Sequence, residues 1–231
     1  MKHRKKDSNK QEALFAVEVQ RSHGLFAYER YWAAQGYGAI AGTDEAGRGP
    51  LAGPVVAAAV VLPMGVEIPF LNDSKKLSPR RRESVFEVVR EKALALAWSR
   101  VEVDEIDRRN IYQASRLAMM QALEAMNHPF DFVLSDAMPL PDLLVPCVPI
   151  IHGDALSASI AAASVIAKVV RDRIMDELDL QFPLYGFCRH KGYGTAEHLK
   201  ALAQHGPCSI HRRSFEPVKS WRSSLGEQAP L

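Results

Sequence analysis

Cysteine is scarce in this chain of 231 residues, with only Cys147, Cys188 and Cys208 present. They are far apart, odd in number and form no C-x-x-C, which argues against a disulfide framework and a zinc site and makes a reducing cytoplasm the expected compartment. Long apolar runs are missing too. No window approaches the roughly 20 apolar residues of a membrane span, and the basic N-terminus is not followed by a signal-like stretch, so no membrane attachment is expected. No G-x-x-x-x-G-K-[ST] occurs, and Gly36-Tyr37-Gly38 does not continue as G-x-G-x-x-G, which removes the support for a nucleotide-binding NTPase. Neither an internal repeat nor a low-complexity tract is visible. The formal net charge is only +2 over 24% charged residues, so total charge says little about partners.

What is present is enough apolar material, 47% of residues, to bury a full core, and the length fits one domain with a small appendage. Basic residues cluster locally at residues 2–6, 75–76, 80–82, 189–191 and 211–213. Such clusters suit a phosphate-binding surface and suit an ordinary solvated face equally well.

Periodicity places the elements. Residues 39–43 form a short apolar run ending at Asp44, and residues 54–62 a Val/Ala-rich run; both are expected as strands, with a glycine-rich turn between them. Ser78 followed by Pro79 is a helix start, and Val85, Val89 and Ala93 then recur at helical spacing to an end near Leu96. Residues 98–103 are expected as a strand, 111–126 as a helix, 132–135 as a buried strand with Asp136 at its end, and 148–151 as a short strand. From Ser159 a long helix carries Ile160, Ala163, Ala167, Val170, Ile174 and Leu178 in one stripe until Pro183. Beyond Tyr185, glycine, histidine and arginine surround one short helix near 196–204, a composition that suits a substrate-contacting region. Residues 1–20 are polar, with at most a frayed helix over 12–20. Strands followed by alternating helix and strand imply a mixed α/β domain with helices flanking a central sheet.

Four acids stand where buried elements reach the surface: Asp44 and Glu45 after the first strand, Asp136 after Phe132-Val133-Leu134, and Asp154 after Ile150-Ile151 and Gly153. Side chains alternate along a strand, so Asp44 and Glu45 share a site only where the strand breaks into the turn that Gly47 and Gly49 supply. Carboxylates with no accompanying cysteine or closely spaced histidine are ligands of hard cations, which favours Mg²⁺ or Mn²⁺ over zinc. Two such cations suit activation of water and stabilisation of a leaving oxygen at a phosphodiester. Any one of these acids taken alone reads equally as a helix cap or a turn residue.

The run Thr43-Asp44-Glu45-Ala46-Gly47-Arg48-Gly49-Pro50-Leu51-Ala52-Gly53-Pro54-Val55 resembles the opening motif of type 2 ribonucleases H (ribonuclease HII), bacterial type. Further matches follow in the family's order: Asn72-Asp73-Ser74-Lys75-Lys76-Leu77-Ser78, Ser135-Asp136-Ala137-Met138, Gly153-Asp154, Ile160-Ala161-Ala162-Ala163-Ser164-Val165-Ile166-Ala167-Lys168-Val169, His190-Lys191-Gly192-Tyr193-Gly194-Thr195 and His211-Arg212-Arg213-Ser214-Phe215. The resemblance covers about residues 35 to 219. It implies a ribonuclease H-like fold, a mixed central sheet flanked by helices with a small C-terminal helical region. The expected division is an N-terminal extension over 1–34, a catalytic domain over 35–184, a substrate-contacting region over 185–219 and a tail over 220–231.

The resemblance also implies an activity. It makes Asp44, Glu45, Asp136 and Asp154 the catalytic, metal-binding acids of an endoribonuclease that cleaves the RNA strand of RNA·DNA hybrids. The same family nicks duplex DNA 5′ of an embedded ribonucleotide, leaving 3′-hydroxyl and 5′-phosphate ends. Gly47, Arg48 and Gly49 match the element that senses the ribose 2′-hydroxyl, and glycines there let backbone approach the sugar. Tyr193 matches the tyrosine that packs on the following deoxyribose. Lys75, Lys168 and Arg212 are expected at phosphates, where a cation offsets developing charge, and Ser164 is expected among the substrate-binding residues. His211 lies in a matching motif without being assigned as a general base. Two departures stand near the acids, Ala137 where many relatives have Gly and His152 where Lys is common. A monomer is expected, and a replication or repair partner remains open. The alternatives are a non-catalytic RNA·DNA hybrid-binding module, disfavoured by four intact acids, and a type 3 ribonuclease H, disfavoured by Arg48 and the short N-terminus.

Overall fold

The computed structural model describes residues 24–71 and 77–225. Five strands, β1 (Ile40–Ala46), β2 (Val55–Val61), β3 (Ala95–Val101), β4 (Phe132–Asp136) and β5 (Cys147–Ile150), form one sheet in the order β3-β2-β1-β4-β5. The pairs β1–β2 and β2–β3 are antiparallel, whereas β1–β4 and β4–β5 are parallel. This mixed sheet, covered by helices, is the ribonuclease H-like α/β architecture expected from the sequence.

Strand β2 reads VVAAAVV and is buried at every position. Val56, Ala58 and Val60 face α5 (Ala158–Gln181) and α2 (Pro79–Lys92), while Val55, Ala57, Ala59 and Val61 face α4 (Ile111–Glu124). A strand buried on both sides has no place for a polar residue, so its alternation splits one apolar run between two cores. Helix α5 begins at a cap in which Ser157 Oγ accepts from Ile160 N at 3.2 Å. Its first turn lies directly on β1: a Cβ added to Gly42 would meet Ser159 C at 2.1 Å and Ile160 N at 2.3 Å.

Several boundaries differ from the sequence expectation. Helix α1 (Ala27–Ala34) is no separate extension, because Ala27 and Tyr28 pack with Phe132, Leu134 and Ile160. Its buried Glu29 carboxylate accepts from Ser157 Oγ at 2.6 Å and Ser159 N at 2.9 Å, tying α1 to the start of α5. The frayed helix expected over 12–20 lies outside the described residues. Helix α2 ends at Lys92 rather than near Leu96, since residues 95–101 pair with the whole of β2 from Val61–Ala95 to Val55–Val101. Helix α3 (Val103–Arg109) occupies the end of the stretch expected as strand. The C-terminal part is α6 (Phe187–His190), α7 (Ala196–His205) and α8 (Val218–Leu225). Helix α8 runs through the boundary expected at 220, with Trp221 packed by Leu202 and Val218. Among the described residues no helix is long and apolar enough to cross a membrane.

The approach of α5 to β1 leaves no room for a methyl group at Gly42, and the atoms in the way are backbone. Gly42→Ala is expected to cost about 3 kcal/mol or more, because overpacking against backbone cannot relax by a rotamer change. For a domain of this size that is a fall in Tm of about 6–12 °C in a thermal melt; an unchanged Tm would refute the close approach.

Candidate active site

Strands β1 and β4 run side by side in parallel as far as the pair Thr43–Ser135. The next residue of each, Asp44 and Asp136, therefore reaches the same carboxyl edge of the sheet, the usual place for a site in parallel α/β architecture. Past β5, a 3-10 turn over Gly153–Ala155 brings in Asp154. One carboxylate oxygen from each of Asp44, Asp136 and Asp154 lies within 4.8 Å of the others.

Backbone and hydroxyl donors fix this group. Gly153 N donates to Asp136 Oδ1 at 2.7 Å and Glu45 N to Asp44 Oδ1 at 2.7 Å. The Ser164 side chain, on α5, also hydrogen-bonds Asp44. A Cβ at Gly153 would stand 2.6 Å from Ile160 Cδ1 and 3.3 Å from Asp136 Oδ1, so a side chain there would push on Ile160 and crowd the carboxylate.

Glu45 stands outside the group of three. Strand β1 ends at Ala46, directly before Gly47 at φ +97°, and Glu45 lines the same cleft as Asp44 without being one of the three whose oxygens meet. Glu45 Oε1 is 3.3 Å from Arg48 Nη1, and Oε2 is buried with no hydrogen-bond partner among the described residues. Burial first, then the negative charges of Glu45 and Asp136, raise the Asp44 carboxyl well above the ordinary range. Glu45 is raised as well, by burial first and by Asp136, while Arg48 pulls it down. Like charges crowded in low dielectric are destabilising unless a cation joins them. The donor set fits one: it is all oxygen, without thiolate or imidazole in the group, and includes an orphaned buried oxygen on Glu45. Asp44, Asp136 and Asp154 would hold a hard divalent ion, with Glu45 beside them.

Above the acids opens a cleft of about 290 Å³ in which Asp44, Glu45 and Asp136 meet Arg48, Lys168 and Tyr193. Gly47 and Gly49 line it as well. Gly47 is at φ +97°, and a Cβ there would meet Arg171 Nε at 2.0 Å. Tyr193 is 43% exposed, and a Cβ added to Gly49 would lie 3.7 Å from its ring edge. Lys168 Nζ lies 6.0 Å from the Tyr193 ring centroid and donates to Asp172 Oδ1 at 2.6 Å, so it reaches the cleft already paired.

Arg212 is not a free phosphate ligand. It is fully buried, and its guanidinium donates to the carbonyls of Gly47, Arg48, Gly53 and Pro54. Lys75 lies outside the described residues. His211 is buried too, and burial first, then His198, hold it down to about 4. It accepts from Cys208 N at Nδ1, 3.0 Å, so at neutral pH its Nε2–H faces His198 Nε2, also at 3.0 Å. Ala137 has φ +52° and His152 φ +58°, the left-handed region, which gives the departure from Gly at 137 a backbone cost of about 1–2 kcal/mol.

Two buried residues escaped sequence reasoning. Arg171 lies on the buried face of α5 and donates to Pro54 O, Ala52 O and Lys191 O. A charged residue at helical spacing from Ala167 within an apolar stripe was the available signal. Glu29 had none, since nothing in its local pattern sets it apart.

A ribonuclease H-like sheet with a carboxylate cluster at the ends of β1 and β4 defines a class, the metal-dependent nucleases of mixed α/β fold. Comparison with known proteins narrows this. The ribonuclease HII family model matches residues 41–218. A ribonuclease HII of Desulfitobacterium hafniense is 54% identical over 203 residues, spanning 88% of this chain and 78% of that protein. The ribonuclease H2 structure from Pyrococcus horikoshii superposes with a TM-score of 0.70 at 24% identity, over 83% of this chain and 100% of that one. A ribonuclease HII solved in complex with PCNA, from Archaeoglobus fulgidus, gives 0.63 at 26% identity, over 77% and 95%. The chain belongs to the ribonuclease HII family and is an enzyme of the endoribonuclease class.

The acid cluster makes a stability prediction. Because folding raises the Asp44 pKa, the native chain binds a proton that the unfolded chain has released. Metal-free stability therefore falls as pH rises from the ordinary carboxylate range toward the folded value. Asp44→Asn is expected to flatten that fall, giving a higher metal-free Tm than wild type at neutral pH. Mn²⁺ should raise the wild-type Tm and raise that of Asp44→Asn much less. Equal Mn²⁺ stabilisation of both proteins would remove Asp44 from the ligand set.

Proposed function

We infer that this protein hydrolyses the RNA strand of RNA·DNA hybrids and nicks duplex DNA on the 5′ side of an embedded ribonucleotide, leaving 3′-hydroxyl and 5′-phosphate ends. The observation that carries the reading is one cleft in which Asp44 and Asp136, two of the three converging carboxylates, share walls with Glu45, the Gly47-Arg48-Gly49 turn and Tyr193. A phosphodiester cutter needs the first feature, and a reader of sugars needs the second.

The acids would hold Mg²⁺ or Mn²⁺. Such ions, when bound as a pair, polarise the scissile phosphate, activate water and stabilise the leaving oxygen. The residues of the chain do the rest. Ser164 and the Glu45 amide orient Asp44, and the Gly153 amide orients Asp136, so the carboxylates are set before substrate arrives. The orphaned oxygen of Glu45 is available beside them. Arg48, half-exposed and lightly tied to Glu45, is free to swing toward a phosphate or sugar. The Gly47–Gly49 backbone reads a ribose 2′-hydroxyl, and the exposed face of Tyr193 packs on the next sugar. Lys168, on the cleft wall, offsets phosphate charge. A replication partner is a further reading, resting on the Archaeoglobus relative having been solved with PCNA.

The deciding experiment incubates duplex DNA bearing one ribonucleotide with the protein, with and without Mg²⁺ or Mn²⁺, and maps the nick. A metal-dependent cut 5′ of the ribonucleotide is expected; no cut there, with long hybrids still cleaved, would reduce the assignment to hybrid hydrolysis. Asp44→Asn should lower turnover by at least about a hundredfold, more than loss of an outer hydrogen-bond partner costs. Tyr193→Ala is expected to impair cleavage at an isolated ribonucleotide more than within a continuous RNA strand, compared as kcat/KM. Equal proportional losses on the two substrates would dismiss its junction role.

A further inference from the structure

Arg171 and Arg212 are both 0% exposed, and neither forms an ion pair with a carboxylate among the described residues. Two buried guanidiniums near one another are costly. Burial lowers Arg171 to about 10, and burial together with the Arg171 charge lowers Arg212 to about 9.

All the hydrogen-bond compensation comes from main-chain carbonyls. Arg171 donates from Nε to Pro54 O at 3.0 Å, from Nη2 to Ala52 O at 3.2 Å and from Nη1 to Lys191 O at 3.1 Å. Arg212 donates to Gly47 O at 2.6 Å, Arg48 O at 2.9 Å, Gly53 O at 3.0 and 2.9 Å, and Pro54 O at 3.3 Å. The acceptors lie in two places only, the turn after β1 and the residue that precedes Gly192-Tyr193.

Peptide geometry carries this to the cleft. In a trans peptide the carbonyl of one residue and the amide of the next point in opposite directions. With the Gly47 and Arg48 carbonyls held against Arg212, the amides of Arg48 and Gly49 are directed away from it, in residues that line the cleft. Among the described residues neither amide has an acceptor. Arg171 meanwhile grips both segments, and Leu51 N donates to Gly192 O at 2.8 Å, so the turn and Tyr193 move as one body. The Arg171 guanidinium also lies 6.0 Å from the Tyr193 ring centroid.

We propose that Arg171 and Arg212 are positioning residues for sugar specificity: they hold the Arg48 and Gly49 amides toward the cleft as donors to a ribose 2′-oxygen, at a fixed spacing from Tyr193. This rests on the sugar-reading role given above to the turn and Tyr193. Packing alone is served at lower cost by an aliphatic side chain, whereas only a guanidinium fork serves several carbonyls at once.

The test uses Arg171→Lys and Arg212→Lys, which keep the charge and lose the fork, and Arg171→Met and Arg212→Met, which keep the bulk. Each is assayed with Mg²⁺ on duplex DNA with one ribonucleotide, the same duplex with a 2′-fluoro nucleotide there, and a continuous RNA·DNA hybrid. Single-ribonucleotide kcat/KM should fall roughly 10- to 100-fold, the loss of a charge-assisted hydrogen bond. The preference for 2′-hydroxyl over 2′-fluoro should shrink, and the continuous hybrid, which uses no junction contact, should lose less. The Mn²⁺-induced rise in Tm should stay as in wild type, showing intact acids. Equal losses on every substrate, or undiminished 2′ preference in a folded variant, overturns the proposal. If no variant folds, amide exchange in the wild-type protein decides: the Arg48 and Gly49 amides should be protected by the ribonucleotide duplex and not by its all-deoxy counterpart, and equal protection overturns the proposal. Wild-type protein without any 2′ preference would instead bring down the sugar-reading role itself.

Discussion

Carboxylates that repel one another must be held within a few ångströms in a largely buried place, and the rest of the structure follows from that demand. Their oxygens meet within 4.8 Å because β1 and β4 are parallel neighbours that end together. The helix that steadies them comes close only because residue 42 has no side chain. The first turn of α5 rests on that glycine, and Ser164, further along the same helix, then reaches Asp44. Glu29 secures the same helix from outside the sheet, bonding its cap and first turn from α1. A contact between Gly42 and α5 thus has chemical consequences more than one turn away along the helix.

The sequence was most readable where one periodicity governed a whole element. The Val/Ala run of β2 and the apolar stripe of α5 lie in the structure much as their patterns require. Legibility failed where tertiary pairing overrode local preference. Ala93-Leu94-Ala95-Leu96 continues a helical composition, yet residues 95 and 96 are strand, because β2 offers an edge that must be paired. Helix α3 was hidden by the Val101-Glu102-Val103 alternation that leads into it, and Asn110, at φ +73° with its side chain capping α4, marks its junction with α4.

The site was legible as chemistry more than as geometry. Acids at the ends of apolar runs pointed to a cation centre, and three of them converge. Glu45 lines the same cleft beside them, held by Arg48, without joining the group whose oxygens meet within 4.8 Å. Arg212 shows the opposite failure. Next to His211 and Arg213 it reads as part of a basic surface, and burial of an unpaired arginine leaves no local trace, since its partners are carbonyls some 160 positions away.

Those arginines complement the acids. On one side of the Gly47–Pro54 turn sits a crowded negative group that a divalent ion would relieve; on the other sits a crowded positive pair whose hydrogen bonds all go to carbonyl dipoles. Neither cluster is a good way to stabilise a fold, because each leaves like charges buried together. Both are tolerated because the turn between them must be rigid and correctly polarised, carbonyls inward and amides outward, while its glycines keep the backbone open to a sugar. Gly47 illustrates the coupling: its positive φ gives the turn its path, and its missing Cβ is the space that the Arg171 guanidinium occupies. Replacing that glycine would distort the turn and displace the arginine together, so the local conformation and the distant buried charge form a single constraint on the cleft.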